Sequence, residues 1–165
     1  MKPDEIRFAA DAMLQSLAKW LRLLGYDCAS GGDLHGVPLM EFALAEHRWV
    51  LSRNRRFGAE LPELLLFRVN VYLVASEHLP GQLREVTERF SLEPVEFRFT
   101  RCVVCNEPLR PVAKPNRSRV PEEVLGREDA FWECPRCERY FWRGSHVRRS
   151  ADQVRDWLEG DGFTL

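Results

Sequence analysis

The sequence lacks the features that define several common protein classes. No apolar run approaches the roughly twenty residues of a membrane-spanning helix, and nothing at the amino terminus resembles a secretory signal. A Gly-x-Ser-x-Gly elbow, a P-loop and a Gly-x-Gly-x-x-Gly fingerprint are also absent. These absences disfavour serine hydrolases, P-loop nucleotide hydrolases and dinucleotide-dependent enzymes. We therefore expect a cytoplasmic protein that makes no membrane contact.

Cysteine is scarce, but its spacing is informative. Four of the five cysteines form two Cys-x-x-Cys pairs, Cys102 with Cys105 and Cys134 with Cys137. Thiolates at that spacing converge on one tetrahedral ion, so they predict the structural zinc site of a zinc ribbon. Two disulfides are the alternative in an oxidising compartment. The 28 residues between the pairs must hold a loop or an extra pair of strands.

The formal net charge of −1 conceals an uneven distribution. Residues 98–149 carry twelve Arg or Lys against seven Asp or Glu, whereas residues 1–97 and residues 150–165 each have a net charge of −3. Nearly all of the positive charge in the central segment is arginine, which pairs with phosphate and stacks on bases better than lysine does. A basic segment with interleaved aromatics predicts contact with nucleic acid. Solvated arginines would give the same count.

Strand-like and helix-like segments alternate over the first ninety residues. Apolar runs predict strands at 6–10, 26–29, 49–52 and 69–75, and helical periodicity predicts helices at 13–24, 39–47 and 79–90. This alternation predicts an α/β fold whose parallel sheet carries helices on both faces. The alternation of apolar and charged residues at 94–99 predicts an edge strand or a linker. Cys28 falls in the second predicted strand, where a buried thiol behaves as a small hydrophobe and has no assigned chemistry.

Three segments follow from these patterns: an α/β domain over residues 1–95, a zinc ribbon over 96–149 and an acidic tail over 150–165. In the tail Val154, Trp157 and Leu158 lie at helical spacing, which predicts a short helix that docks on the rest of the protein. The alternative is that the acidic tail covers the basic ribbon and competes with RNA.

Acidic side chains accompany the predicted strand ends. Asp11 ends the first strand, Asp33 follows the second and Glu77 follows the fourth; Asn54 follows the third strand, and Glu41 lies on the second helix. Strand ends of a parallel sheet meet at one edge, so these side chains predict a site for Mg²⁺ or Mn²⁺, ions that support phosphodiester hydrolysis. Each carboxylate also has a structural alternative. Asp11 could cap a helix, and Asp33 could stabilise the turn at 31–33.

Three arginines, Arg53, Arg55 and Arg56, flank Asn54. Arginines at the mouth of such a site could clamp a phosphate of the substrate. Two alternatives remain open. The arginines could be solvated loop residues, or one of them could pair with Asp11 and close an empty site.

Aromatic residues surround the second cysteine pair, and Trp142, Arg143 and His146 follow it. Exposed rings in a basic segment could stack on the unpaired bases of single-stranded RNA. The alternative is packing against the metal thiolates or the neighbouring domain. With four thiolates available His146 is not needed as a ligand, and we expect it to be structural or to face RNA. His35, His47 and His78 show no catalytic constellation.

Several segments of the sequence resemble the Mut7-C ribonuclease domain family, a group of PIN-like proteins. They are Phe-Ala-Ala-Asp-Ala-Met-Leu at 8–14, Leu-Ser-Arg-Asn-Arg at 51–55, the two cysteine pairs, and Trp-Arg-Gly-Ser-His at 142–146. The resemblance covers nearly the whole chain and implies a PIN-like nuclease sheet followed by a zinc ribbon, acting on RNA with a divalent metal. This chain has Asn54 where the family normally has aspartate, which predicts a weakened metal site.

The leading hypothesis is therefore a metal-dependent ribonuclease. Asp11, Asp33 and Glu41 would hold Mg²⁺ or Mn²⁺, with Asn54 as a neutral ligand and Glu77 as a further candidate. The second hypothesis is a catalytically inactive RNA-binding protein that keeps the PIN-like fold. The third is a protein-interaction module, for which the sequence identifies no partner.

Overall fold

A four-stranded parallel β-sheet forms the first part of this computed structural model, which describes residues 6–59, 61–93, 100–113 and 115–159. The strands are β1 (Arg7–Ala10), β2 (Asp27–Ser30), β3 (Trp49–Ser52) and β4 (Val71–Leu73), in the spatial order β2-β1-β3-β4. Every neighbouring pair is parallel. The central strands β1 and β3 are almost completely buried, as expected for a sheet covered on both faces.

Helices cover both faces of this sheet, as the sequence predicts. A 3₁₀ turn (Ala12–Leu14) leads into α1 (Gln15–Leu23), followed by α2 (Gly36–Ala45), α3 (Glu63–Arg68) and α4 (Leu79–Arg89). Because side chains alternate along a strand, Phe8 and Ala10 pack with α1 and α4, while Ala9 packs with α2. Two apolar layers therefore hold the sheet, one on each face.

Local chemistry explains where some elements differ from the predicted bounds. Strand β4 is shorter than predicted at both ends. Val69 is the C-cap residue of α3, and beyond β4 the Glu85 carboxylate accepts the backbone N–H groups of Ala75 (2.8 Å) and Ser76 (2.9 Å). Helix α2 begins at Gly36, three residues earlier than predicted, and Pro38 lies in its first turn, where proline is tolerated. It ends before His47, whose positive φ of 51° stops a helix. Helix α3 was not predicted.

The segment predicted as a zinc ribbon, residues 96–149, contains a second, antiparallel sheet. Its strands β5 (Arg110–Val112), β6 (Phe131–Glu133) and β7 (Tyr140–Trp142) lie in that order, and the short helix α5 (Glu122–Leu125) precedes β6. The segment between the cysteine pairs thus holds two strands and a short helix. Residues 94–99, predicted as an edge strand or linker, lie outside the described residues.

The last helix, α6 (Ser145–Glu159), begins before the predicted acidic tail and packs on the α1 and α4 face of the sheet. Val154 is buried within the main apolar cluster, and the Trp157 and Trp20 rings meet edge to face with centroids 4.9 Å apart. The Arg84 guanidinium donates to the Trp157 carbonyl at 2.7 Å. Of the helices that the structure describes, none has the length and apolar character needed to cross a membrane.

The first cysteine pair lies against the edge strand β2 through the buried Arg22 of α1. Arg22 donates to the Cys28 carbonyl (2.6 Å) and to the carbonyls of Val103 (3.2 Å) and Val104 (3.1 Å), which lie between Cys102 and Cys105. Burial lowers the pKa of Arg22, although nearby thiols and Asp27 oppose that effect. The guanidinium of Arg22 therefore joins the parallel sheet to the segment of the first cysteine pair.

Candidate functional site

A pocket of about 510 Å³ lies at the carboxyl end of the parallel sheet. Strands β2 and β3 lie on opposite sides of β1, so the chain changes direction between β1 and β3, and ligands of open parallel sheets bind at such a point. The lining combines polar side chains with an apolar wall; it includes Asp11, His35, Asn54, Met13, Phe57 and Leu61.

Asp11 is the one carboxylate of this pocket among the described residues, and its side chain is only 8% exposed. Its backbone N–H donates to the Leu51 carbonyl at 2.9 Å, which fixes it at the end of β1 beside β3. The Ser52 hydroxyl donates to Asp11 Oδ2 at 2.7 Å. The Asp11 side chain makes no capping bond to the 3₁₀ turn that follows, so the capping alternative is not observed.

Asn54 reaches the same pocket from the turn after β3. Its backbone N–H donates to the Ser52 hydroxyl at 3.1 Å, so Ser52 contacts both Asp11 and Asn54. The Asn54 amide oxygen accepts the Arg56 backbone N–H at 3.0 Å. That oxygen has a second lone pair for a ligand. An aspartate at this position would keep the turn bond and add a negative charge to the pocket.

The other predicted carboxylates are not part of the pocket lining. Asp33 is exposed in a turn that the Leu34 N–H closes on the Gly31 carbonyl at 3.2 Å, as its structural alternative predicts. Glu41 is exposed on α2, and Glu77 is exposed before α4. Within the described ranges, only the four ribbon cysteines form a group of three or more potential metal ligands. Among the described residues, the pocket therefore offers one carboxylate, Asp11, and the neutral amide of Asn54.

The three arginines beside Asn54 do not neutralise Asp11. Arg55 and Arg56 are exposed and Arg53 is partly buried. In the part of the chain that the structure describes, none of them forms an ion pair with Asp11. The alternative in which an arginine closes the site is therefore not observed, and a role in binding phosphate stays a prediction.

Sequence reasoning missed two residues of this site. Ser52 is the last residue of β3 and is fully buried, and a buried hydroxyl at a strand end is the signal that points to it. His35 immediately precedes α2 and lines the pocket with an exposed side chain. Its position after the second strand was visible in the sequence, but only the fold of the 31–35 loop brings it to Asp11.

The four ribbon cysteines form the second candidate centre. Their sulfur atoms all lie within 4.8 Å of one another, with Cys102 and Cys137 Sγ 3.6 Å apart and Cys105 and Cys134 Sγ 3.4 Å apart. The residue after each pair has a positive φ, so both pairs adopt the same type of turn. Burial raises the pKa of the Cys134 thiol, but backbone N–H groups of Cys137 and Arg136 outweigh it and leave the pKa below its ordinary value. The cysteines are positioned to hold a metal ion.

The remaining predicted RNA contacts lie at the end of the ribbon. Trp142 is the last residue of β7 and is partly buried, and the Arg143 guanidinium lies 5.9 Å from the Trp132 ring centroid. His146 is exposed in the first turn of α6, with its Nδ1 3.3 Å from Arg149 Nη2. Among the residues that the structure describes, His146 is not part of a group of potential metal ligands. RNA binding by these residues stays a prediction.

Comparisons with known proteins give one informative result. No curated protein and no solved structure shows a significant match to this chain. The model of the Mut7-C RNAse domain matches residues 6–154, which span both sheets, the pocket of Asp11, the cysteine cluster and most of α6. The chain therefore belongs to the Mut7-C RNAse domain family.

Proposed function

We propose that this protein is a ribonuclease that cleaves RNA phosphodiesters at the pocket of Asp11. The observation that carries the proposal is the nearly buried carboxylate of Asp11, which lines the pocket and has a hydroxyl but no cation as its partner among the described residues. A buried charge without a counter-ion is costly, and such charges are kept where a ligand compensates them. A divalent cation with an RNA phosphate is the ligand that the family membership favours.

Each residue of the pocket would have its own role in cleavage. Asp11 and the Asn54 amide would hold Mg²⁺ or Mn²⁺, while Ser52 fixes the orientation of the carboxylate. When bound, such an ion lowers the pKa of a water molecule and offsets the charge of the phosphodiester. Arg53 and Arg55 would contact flanking phosphates. In the ribbon, the four cysteines would hold a structural Zn²⁺.

The test is cleavage of a mixed pool of single-stranded and structured RNA by Asp11→Asn. This change keeps the shape of the side chain and its bond to Ser52, but it removes the charge. We expect the rate to fall by a factor on the order of 10² to 10³, the loss typical of a group that stabilises transition-state charge. Glu41→Gln is the matched control, because Glu41 is exposed outside the pocket lining and should keep its activity. Equal rates for Asp11→Asn and the natural chain would refute the proposal.

A second candidate function is RNA binding without catalysis. The observation that favours it is that, among the described residues, Asp11 is the single carboxylate of the pocket and Asn54 is neutral. The variant that separates the two functions is Asn54→Asp. A weak nuclease should gain activity from the second carboxylate, and an inactive natural chain that becomes active only as Asn54→Asp would establish the binding protein. If the natural chain cleaves RNA and Asn54→Asp cleaves it no faster, the nuclease does not need a second carboxylate at position 54.

A further inference from the structure

A second pocket, of about 220 Å³, lies where three parts of the chain meet. It is bounded by α1, the ribbon and the first turns of α6, and we call it the junction pocket; the residues used below are Lys19, Leu23, Arg101, Leu109, Trp142 and His146. Its volume is below the ≈ 300–1,000 Å³ of a typical pocket for a drug-sized ligand. An aromatic group of the size of one nucleobase is a more suitable occupant.

Trp142 forms a fixed wall of the junction pocket. A Cβ atom added to Gly144 would lie only 2.8 Å from Trp142 Nε1, so the indole ring packs directly on the glycine backbone. Leu23 and Leu109 supply apolar surface. A rigid ring beside aliphatic side chains is the kind of surface on which an unpaired base stacks, whatever its sequence.

The charges of the junction pocket complement a nucleic acid. Two cations, Lys19 and Arg101, line it beside His146, and no carboxylate does so among the described residues. Arg101 already pairs with Asp27 at 3.0 Å. Lys19 is exposed and forms no ion pair within the described ranges, so it is the cation best placed to take a phosphate. An apolar peptide segment would gain nothing from this charge, whereas a nucleotide would use both the ring and the cation.

Helix α1 connects the junction pocket to the pocket of Asp11. Lys19 follows Asp11 by eight residues, of which three form the 3₁₀ turn and five lie in α1. At rises of about 2.0 and 1.5 Å per residue they span roughly 13 Å. Gln15, Ser16 and Lys19 are exposed along this stretch, and α1 contains no acidic residue. The distance corresponds to roughly three or four stacked nucleotides at 3.4 Å each. A single strand of RNA could therefore lie along α1 without meeting a negative charge on that helix.

We propose that the junction pocket binds one unpaired nucleobase of single-stranded RNA, a few nucleotides away from the phosphodiester at Asp11. This inference rests on the proposed function, because it assigns a binding subsite to the same substrate. Trp142 stacks on the base and Lys19 contacts its phosphate, which makes the ribbon and α1 a single RNA-binding surface.

The first experiment measures binding of a fluorescein-labelled ten-nucleotide RNA to Asp11→Asn, which separates binding from cleavage. In this background Trp142→Leu should weaken binding by about 5-fold to 150-fold, the range that stacking of one base supplies. Gly144→Ala should weaken binding too, because it displaces the indole without removing any contact residue. Phe67→Leu is the control, since Phe67 is 80% exposed on α3, and it should leave the Kd unchanged.

Lys19→Met provides a second test, which does not depend on the stability of Trp142→Leu. Each phosphate contact on a single strand contributes about 0.7 to the slope of log K against log salt, so Lys19→Met should lower that slope by about 0.7. A change in Kd with no change in slope would contradict the phosphate contact. If Trp142→Leu and Lys19→Met both bind as Asp11→Asn does, the inference is overturned and a protein segment becomes the better occupant.

A set of RNAs that each contain one abasic nucleotide identifies the base itself. With Asp11→Asn, one position should lose affinity, and with Trp142→Leu added that position should show no further loss. Equal sensitivity at every position in both proteins would overturn the inference while leaving the proposed function intact. Conversely, position-specific binding by a chain that cleaves no RNA would refute the nuclease and support the subsite.

Discussion

At the scale of single residues, Asp27 shows how this protein stabilises a buried charge. It receives hydrogen bonds from Arg48 and from the Asn106 side chain (2.7 Å), and it pairs with Arg101 at 3.0 Å. Burial alone would raise the pKa of Asp27. The bonds to Arg48 and Asn106 and the charges of both arginines outweigh burial and lower it. Asp27 therefore contrasts with Asp11, whose carboxylate has no cation among the described residues.

Asp27→Asn should lower the free energy of unfolding by about 3 kcal/mol at neutral pH, because it leaves two arginines without their buried partner. Since the folded-state pKa lies below the unfolded value of about 3.9, the ionised Asp27 stabilises the fold above pH ~4, and this contribution disappears as the pH falls through the folded-state pKa. Urea unfolding between pH 2 and 7 measures both effects. Asp152→Asn removes an exposed carboxylate paired with Arg155 and should cost under about 1 kcal/mol. Equal costs would contradict the assignment.

The sequence predicts where a residue lies in the sheet when a single strand determines its position. Asp11 ends a strongly apolar strand, so the sequence places it at the sheet edge. The positions of Asp33 and Glu77 depend on how loops fold after the strands, which periodicity does not show. Ser52 and His35 could be recognised only once β1, β3 and the start of α2 were brought together.

At the scale of elements, the first cysteine pair protects the edge strand β2. The Cys28 N–H, on the side of β2 away from β1, donates to the Asn106 side chain at 3.1 Å, and Arg22 bonds the Cys28 carbonyl. An edge strand with unpaired N–H and C=O groups invites pairing with other chains. The turn of the first cysteine pair therefore supports the sheet as well as the ribbon.

Loss of the metal should loosen β2. Cys134→Ser removes one thiol of the second pair, which makes no hydrogen bond to β2 in the part of the chain that the structure describes. It should accelerate hydrogen exchange of the Cys28 amide by at least about tenfold, or ~1.4 kcal/mol of opening free energy. The Val50 amide, bonded to the Asn70 carbonyl at 2.8 Å inside the sheet, is the internal control. Unchanged protection of Cys28 in a variant shown to lack metal would mean that the edge is held independently of the cluster.

Element order was largely predictable because hydrophobic periodicity differs between strands and helices. The buried runs and the stop at Gly25 give β1, α1 and β3. Helix α3 has six residues, none of them buried, so it has no apolar periodicity to detect. The bonds from Arg22 to Val103 and Val104 join residues about eighty positions apart, and no local pattern could indicate them.

At the scale of the whole molecule, α6 fastens the end of the ribbon to the parallel sheet. Val154→Ala should lower the free energy of unfolding by about 2 kcal/mol, from two buried carbon atoms and the cavity they leave. Gln153→Ala changes an exposed neighbour and should stay within about 0.5 kcal/mol. The midpoints of urea unfolding of the two variants measure this difference. Identical midpoints would show that α6 does not contribute to the fold in solution.

The docking of α6 also bears on the acidic tail. Its buried side chains contact α1 and α4, while its first turn borders the junction pocket. Truncation before Ala151 should therefore reduce stability and should not tighten RNA binding. Tighter binding by the truncated chain would instead support a tail that competes with RNA for the basic ribbon.

The central claim is that the Asp11 pocket cuts RNA, and its most direct test is single-turnover cleavage as Mn²⁺ or Mg²⁺ is added to protein dialysed free of loosely bound metal. Metal analysis before the assay determines whether the ribbon cysteines still hold an ion. We predict that cleavage by the natural chain rises with added metal to a plateau and that Asp11→Asn stays at background throughout. Cleavage that ignores added metal, or that Asp11→Asn performs equally well, would contradict the account.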